Sequence, residues 1–122
     1  MRFLRRLLGG GDEAEEGAAG LPEQRHAVTV LLRLSDPELV NEREQVAVYA
    51  LEDRLMRALD ETGAGTHDTN ELERGFLRIH LLGADADRVV AVVKPLLADA
   101  PAGSYLAVRR GPEGTSEERV EL

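Results

Sequence analysis

Six stretches of apolar periodicity follow one another along this chain, in the order strand, helix, strand, strand, helix, strand. That order constrains the fold more than any other feature. From His26 to Leu34 the residues alternate. Val28, Val30, Leu32 and Leu34 fall on one side of an extended chain, and Ala27, Thr29, Leu31 and Arg33 on the other. A helical stripe follows, made of Val48, Leu51, Leu55, Ala58 and Leu59. Glu44, Glu52, Asp53 and Arg57 are read as its wet side. The helix starts either at Asp36-Pro37, with proline in the first turn, or at Asn41, which forms an approximate capping box with Glu44. Gly63 is its natural stop.

A hairpin comes next. Its first arm, about Gly65 to Leu72, is polar and makes a poor strand by composition. Its second arm, Phe76 to Leu82, alternates strongly: Leu77, Ile79 and Leu81 face one way, Phe76, Arg78, His80 and Leu82 the other. With Gly75 in the turn region and the turn centred on Glu73, Asp68 is expected opposite Arg78 and Thr66 opposite His80. A second helix opens at Asp85, its N-cap, and buries Val89, Val92, Val93, Leu96 and Leu97. Pro95 should kink it or end it early. Ser104 to Arg110 is the last strong strand, with Leu106 and Val108 on one side and Tyr105, Ala107 and Arg109 on the other.

Two strand–helix–strand units joined in this way predict an α+β, ferredoxin-like split βαββαβ domain. A four-stranded antiparallel sheet would carry both helices on one face, with the first and third strands central. The opposite face would then stay open. It would hold Thr29, Leu31, Arg33, Phe76, Arg78, His80, Leu82, Tyr105 and Arg109, a basic and partly aromatic surface. Such a face is either solvated under its own long side chains or a contact surface for a second copy or another protein. A pocket for a small anion held by Arg33, Arg78 and Arg109 is a further reading. A single-stranded RNA platform would use the same face, but Phe76 is the only aromatic on that strand, and the aromatic-rich signature is missing.

Composition narrows the field. The chain of 122 residues allows one hydrophobic core. Without cysteine there is no disulfide framework, thiol nucleophile or thiolate-held metal. The net charge of −8 argues against broad binding to duplex nucleic acid, which needs a cationic footprint. It fits, generically, an immunity-type inhibitor of a basic toxin. Residues 1–25 contribute −1 of that charge and residues 111–122 contribute −3. Residues 1–24 read as a flexible tail: a basic apolar octet, Met1 to Leu8, then glycines and acids. The octet could instead form two helical turns on a membrane surface or a partner. No apolar run approaches the roughly 20 residues of a membrane span. No apolar stretch of signal-peptide length follows the first arginines, so the chain is expected to be cytoplasmic. Residues 25–110 form the expected domain, and residues 111–122 a polar tail or a short edge strand, since Arg119-Val120-Glu121-Leu122 alternate.

Chemical motifs are sparse. His67, Asp68, Asn70 and Glu71 form the most polar cluster, and His67, Asp68, Glu71 and His80 are candidate metal ligands. They lack an HExxH or two-His-one-carboxylate spacing, and a polar hairpin arm is the simpler reading. Ser35, Ser104 and Ser116 sit outside any nucleophile motif. Gly9-Gly10-Gly11 lacks the lysine and strand-to-helix context of a phosphate loop. No catalytic residue, metal or cofactor is assigned.

Gly65-Thr66-His67-Asp68-Thr69-Asn70-Glu71, Leu81-Leu82-Gly83-Ala84-Asp85-Ala86-Asp87-Arg88 and Gly103-Ser104-Tyr105-Leu106-Ala107-Val108-Arg109 resemble a group of small bacterial proteins. That group carries a G-x-x-D-x-N/H-E hairpin and a GPDAD-like helix start. The likeness spans about residues 26–110 and implies a shared small α+β domain of no known activity. It draws attention to Asp68, Asn70 and Glu71. After Glu71 this chain has Leu72-Glu73-Arg74 in place of a glycine-richer turn. The expected role is therefore a non-catalytic interaction domain. It would self-associate or bind a protein partner through Leu31, Arg33, Phe76, Arg78, His80, Tyr105 and Arg109. The alternatives are a small-ligand or metal-binding module, the toxin inhibitor, or a weak enzyme.

Overall fold

A computed structural model describes residues 25–122. The N-terminal octet and the tail expected over residues 1–24 lie outside the described residues. The elements are β1 (His26–Arg33), α1 (Glu42–Thr62), β2 (Thr66–Glu73), β3 (Phe76–Gly83), α2 (Ala86–Val93) with a 3-10 turn at Lys94–Leu97, β4 (Tyr105–Arg109) and β5 (Glu117–Glu121). They form an α+β domain with one antiparallel sheet, ordered β2-β3-β1-β4-β5. β1 is thus the middle strand. Five strands replace the expected four, because residues 117–121 pair along β4. There Val120, opposite Leu106, packs against the core, while Glu117, Arg119 and Glu121 face the other way. Arg110 pins this edge by bridging Asp87 in α2 and Glu118 in β5.

Alternation decides which face the helices cover. Val28, Val30, Leu32, Leu77, Ile79, Leu81, Leu106 and Val108 join Leu51, Leu55, Leu59, Val89 and Val93 in one core. Of the two starts open to α1, the chain uses Asn41. Its side chain accepts from the Glu44 N–H at 2.8 Å, and Glu44 accepts in return from the Asn41 N–H. At the other end the N–H of Gly63 donates to the Asp60 carbonyl and that of Ala64 to the Leu59 carbonyl. Asp85 caps α2 through the Asp87 N–H, and Pro95 tightens the helix end into the 3-10 turn.

The hairpin departs from expectation in two ways. The polar first arm is a full strand, Thr66–Glu73. It forms because the strong β3 arm offers it a ladder, which outweighs its low strand propensity. The turn lies at Arg74 and Gly75, both with positive φ (45° and 87°), as a two-residue hairpin turn requires. Glu73 therefore faces Phe76, Glu71 faces Arg78 and Thr69 faces His80. The expected placement of Asp68 opposite Arg78, and of Thr66 opposite His80, is therefore not found. A bulge between His67 and Thr69 shifts the register again, so Thr66 lies opposite Leu82.

Candidate functional site

The hairpin cluster seen in the sequence is divided by the sheet. His67 and Asn70 stand opposite Leu81 and Ile79 and share their helix-side face. There they meet Glu52 of α1: His67 Nε2 lies 3.1 Å from Oε2, and Asn70 Nδ2 donates to the same oxygen. Glu52 is fully buried, at 0 % exposure, and not on the wet side as expected. A signal for this was present in the sequence. Glu52 stands four residues after Val48, three before Leu55 and seven before Leu59, within the apolar stripe. Only its charge suggested solvent. The helix-facing side of β2 is polar, so it needs a polar partner on the helix.

Asp68 and Glu71 lie with the other face of the sheet. Among the described residues, no group of three or more His, Asp or Glu side chains is placed to hold a metal ion. His67 cannot join Asp68, Glu71 and His80, because the sheet lies between them.

Among the described residues, no helix packs on that other face. Its centre is built from four strands. Phe76 on β3 and Tyr105 on β4 meet edge to face, ring centroids 5.7 Å apart at 74°. Arg33 of β1 stacks over Phe76 at 5.4 Å, and Arg119 of β5 over Tyr105 at 3.7 Å. Leu31, in register with both Arg78 and Tyr105, is buried at 7 % exposure, so it supports this cluster from below and does not itself reach solvent. Among the described residues, none of the strongly exposed large apolar side chains lies here. Those are Leu39, Val46, Tyr49, Leu72 and Leu122.

The face is not basic, as the sequence had suggested, but balanced. Alternation places Arg33, Arg78, Arg109 and Arg119 on it, and equally Glu71, Glu73, Glu117 and Glu121 from the two edge strands. Arg78 pairs with Glu73 at 2.7 Å, and Arg119 with Glu121. Arg109 donates to the carbonyls of Gly111 and Arg25, at 2.9 and 3.1 Å. Nothing in one strand's sequence reveals these pairings, since they depend on which strands become neighbours.

Beside the aromatic cluster lies a shallow polar basin, lined in part by Thr29, Asp68, Arg78, His80, Arg109 and Glu117. Thr29 Oγ1 is 3.1 Å from His80 Nδ1, and His80 Nε2 is 2.9 Å from Glu71 Oε1. The connectivity is that of a hydroxyl, imidazole and carboxylate relay. Its surroundings differ from those of an acyl-transfer centre. Thr29 is 4 % exposed, on a middle strand laddered on both sides. Its backbone N–H groups are committed to the sheet and not aimed at a developing oxyanion. The nearby Arg109 is engaged with backbone carbonyls, and Arg78 is held by Glu73 through Nη1, its buried Nε making no hydrogen bond. This relay orders the face.

The hydrogen bond from His80 holds the Glu71 carboxyl below the usual carboxylate range, and Arg78 adds to it. The hydrogen bond from Arg110 does the same for Asp87, and the Ser35 backbone N–H for Glu44. Each group is a stronger acid folded than unfolded. The stability it contributes is complete above the ordinary carboxylate pKa, about 4, and is lost as the pH falls through the depressed folded value. Urea unfolding followed from pH 6 to pH 3 is expected to show a falling midpoint over the acid part of that range. A midpoint that stays level throughout would contradict these pairings.

No protein-family model, curated protein or solved structure matches this chain. Among the described residues, no helix is long and apolar enough to cross a membrane.

Proposed function

We propose that the protein is a non-catalytic interaction domain that associates with a second copy of itself through the open sheet face. Its core is read as a ferredoxin-like βαββαβ unit with β5 added at one edge, of the type shared with the bacterial group that its hairpin and helix-start motifs resemble. The observation that carries the functional reading is the central cluster of two aromatic rings and two stacked guanidiniums, Phe76, Tyr105, Arg33 and Arg119. Tyr, Phe and Arg are the residues enriched in the cores of protein interfaces. Charge supports a second copy as the partner. A chain of net charge −8 is strongly acidic, but on this face four arginines stand among four glutamates and Asp68. Two copies therefore meet less repulsion there than the net charge of the chain implies.

Sedimentation velocity over a concentration series tests this. The wild-type chain is expected to form a dimer. Arg33→Glu, at an exposed position, should shift it to monomer while leaving its unfolding midpoint nearly unchanged. A wild-type chain that stays monomeric throughout the series would remove self-association. So would a dimer indifferent to both Arg33→Glu and Tyr105→Asp.

A further inference from the structure

We propose that an apolar groove at one end of the helix layer is the seat of the chain's own N-terminal octet, Met1 to Leu8. The groove measures about 230 Å³ and lies where the end of β1, the first half of α1 and the chain after α2 come together. Leu34, Ala47, Val48, Leu51, Leu96 and Pro101 supply its apolar walls. Its charged rim is balanced, with Glu44 and Asp99 against Arg33 and Arg54. The space suits a few aliphatic or aromatic side chains from a short segment and is too small to hold a folded partner.

The octet has the matching chemistry. Phe3, Leu4, Leu7 and Leu8 alternate in pairs with Arg2, Arg5 and Arg6. The apolar pairs have no further apolar stretch beside them, because Gly9-Gly10-Gly11 and an acidic run follow. Burying them in the groove removes apolar surface from water on both sides. The arginines would remain at the rim, within reach of Glu44 and Asp99.

The length of chain fits as well. From His26 to Leu32, where the groove begins, β1 spans about 20 Å. Seventeen residues, Gly9 to Arg25, separate the octet from β1. Seventeen residues can span at most about 56–61 Å, so the chain is long enough to cover this distance. A segment joined to the domain by its own chain binds in an intramolecular step, at a higher effective concentration than a free peptide. Even weak intrinsic affinity then fills the groove. The proposal does not require self-association: the apolar walls of the groove lie in the helix layer, on the opposite side of the sheet from Phe76 and Tyr105, and Arg33 at the end of β1 borders both.

Methyl NMR of the full chain tests it. The wild type is compared with Phe3→Glu/Leu7→Glu at several dilutions. Methyl shifts of Val48, Leu51 and Leu96 are expected to change, while those of Ile79 and Leu106 hold. Ala47→Glu, at an exposed position on the groove wall, should produce the same loss from the other side. Adding a peptide of residues 1–11 to the Phe3→Glu/Leu7→Glu protein should restore the wild-type shifts. Groove methyls identical in the two proteins would overturn the proposal. Changes confined to the open sheet face, or to the exposed Val46 and Tyr49 side of α1, would overturn it too. Groove shifts in the wild type that fade on dilution would place the octet in a second copy and refute the intramolecular seat.

Discussion

Replacing Glu52 with alanine is expected to lower the unfolding free energy by about 3–5 kcal/mol, the range for removing one partner from a buried charged contact. Small domains have about 5–15 kcal/mol in total, so this one change takes a large share. Three terms act together. The carboxylate is fully buried, so the alanine leaves a cavity. Asn70 Nδ2 loses its acceptor where water does not reach easily. The contact with His67, whose side chain is only 5 % exposed, is lost as well. His67 and Asn70 are the residues of β2 that reach this carboxylate, so the contact ties β2 to α1. Glu52→Gln keeps the shape and one acceptor oxygen, and should lose clearly less. Chemical denaturation measures both. Alanine within 1 kcal/mol of wild type would show that this polar joint does not hold β2 to the helix.

Gly83→Ala is expected to cost about 2–3 kcal/mol, the upper part of the range for overfilling a packed site. Gly83 ends β3 just before α2, and its φ lies outside the left-handed region, so backbone strain is not the cause. The cause is proximity. An added Cβ would lie 2.5 Å from the Ala64 carbonyl oxygen and 2.7 Å from Val89 Cγ2. Ala64 belongs to the turn between α1 and β2, so the methyl would press two connections apart and push on α2. Removing the Val89 methyls in Gly83→Ala/Val89→Ala should relieve the second contact but not the first. The two changes should therefore be less than additive. A single variant as stable as wild type would mean that the two connections give way freely.

The strands and helices were legible because their signals are local. Alternation over His26–Leu34 and Phe76–Leu82, the stripe from Val48 to Leu59 and the cap at Asp85 each follow from residues within a few positions of one another. The polar arm Thr66–Glu73 was harder, since its strand character is lent by β3. β5 was visible only as a brief alternation, because it gains its stability by lying against β4. The open face could be named residue by residue from β1, β3 and β4. Its charge could not, because the glutamates that neutralise it come from β2 and β5.

Position along the chain, then, settled which side of each element is apolar and hence the α+β class. The tertiary structure decided what those sides meet. A bulge and a two-residue turn set the hairpin register, sent His67 and Asn70 to Glu52, and left Glu71 with His80 and Arg78. A register shift of one residue reverses every side chain of a strand, while the hydrophobic pattern of a polar strand is too weak to forbid the shift. For this chain, local sequence therefore determines the layers, and strand pairing determines the surface.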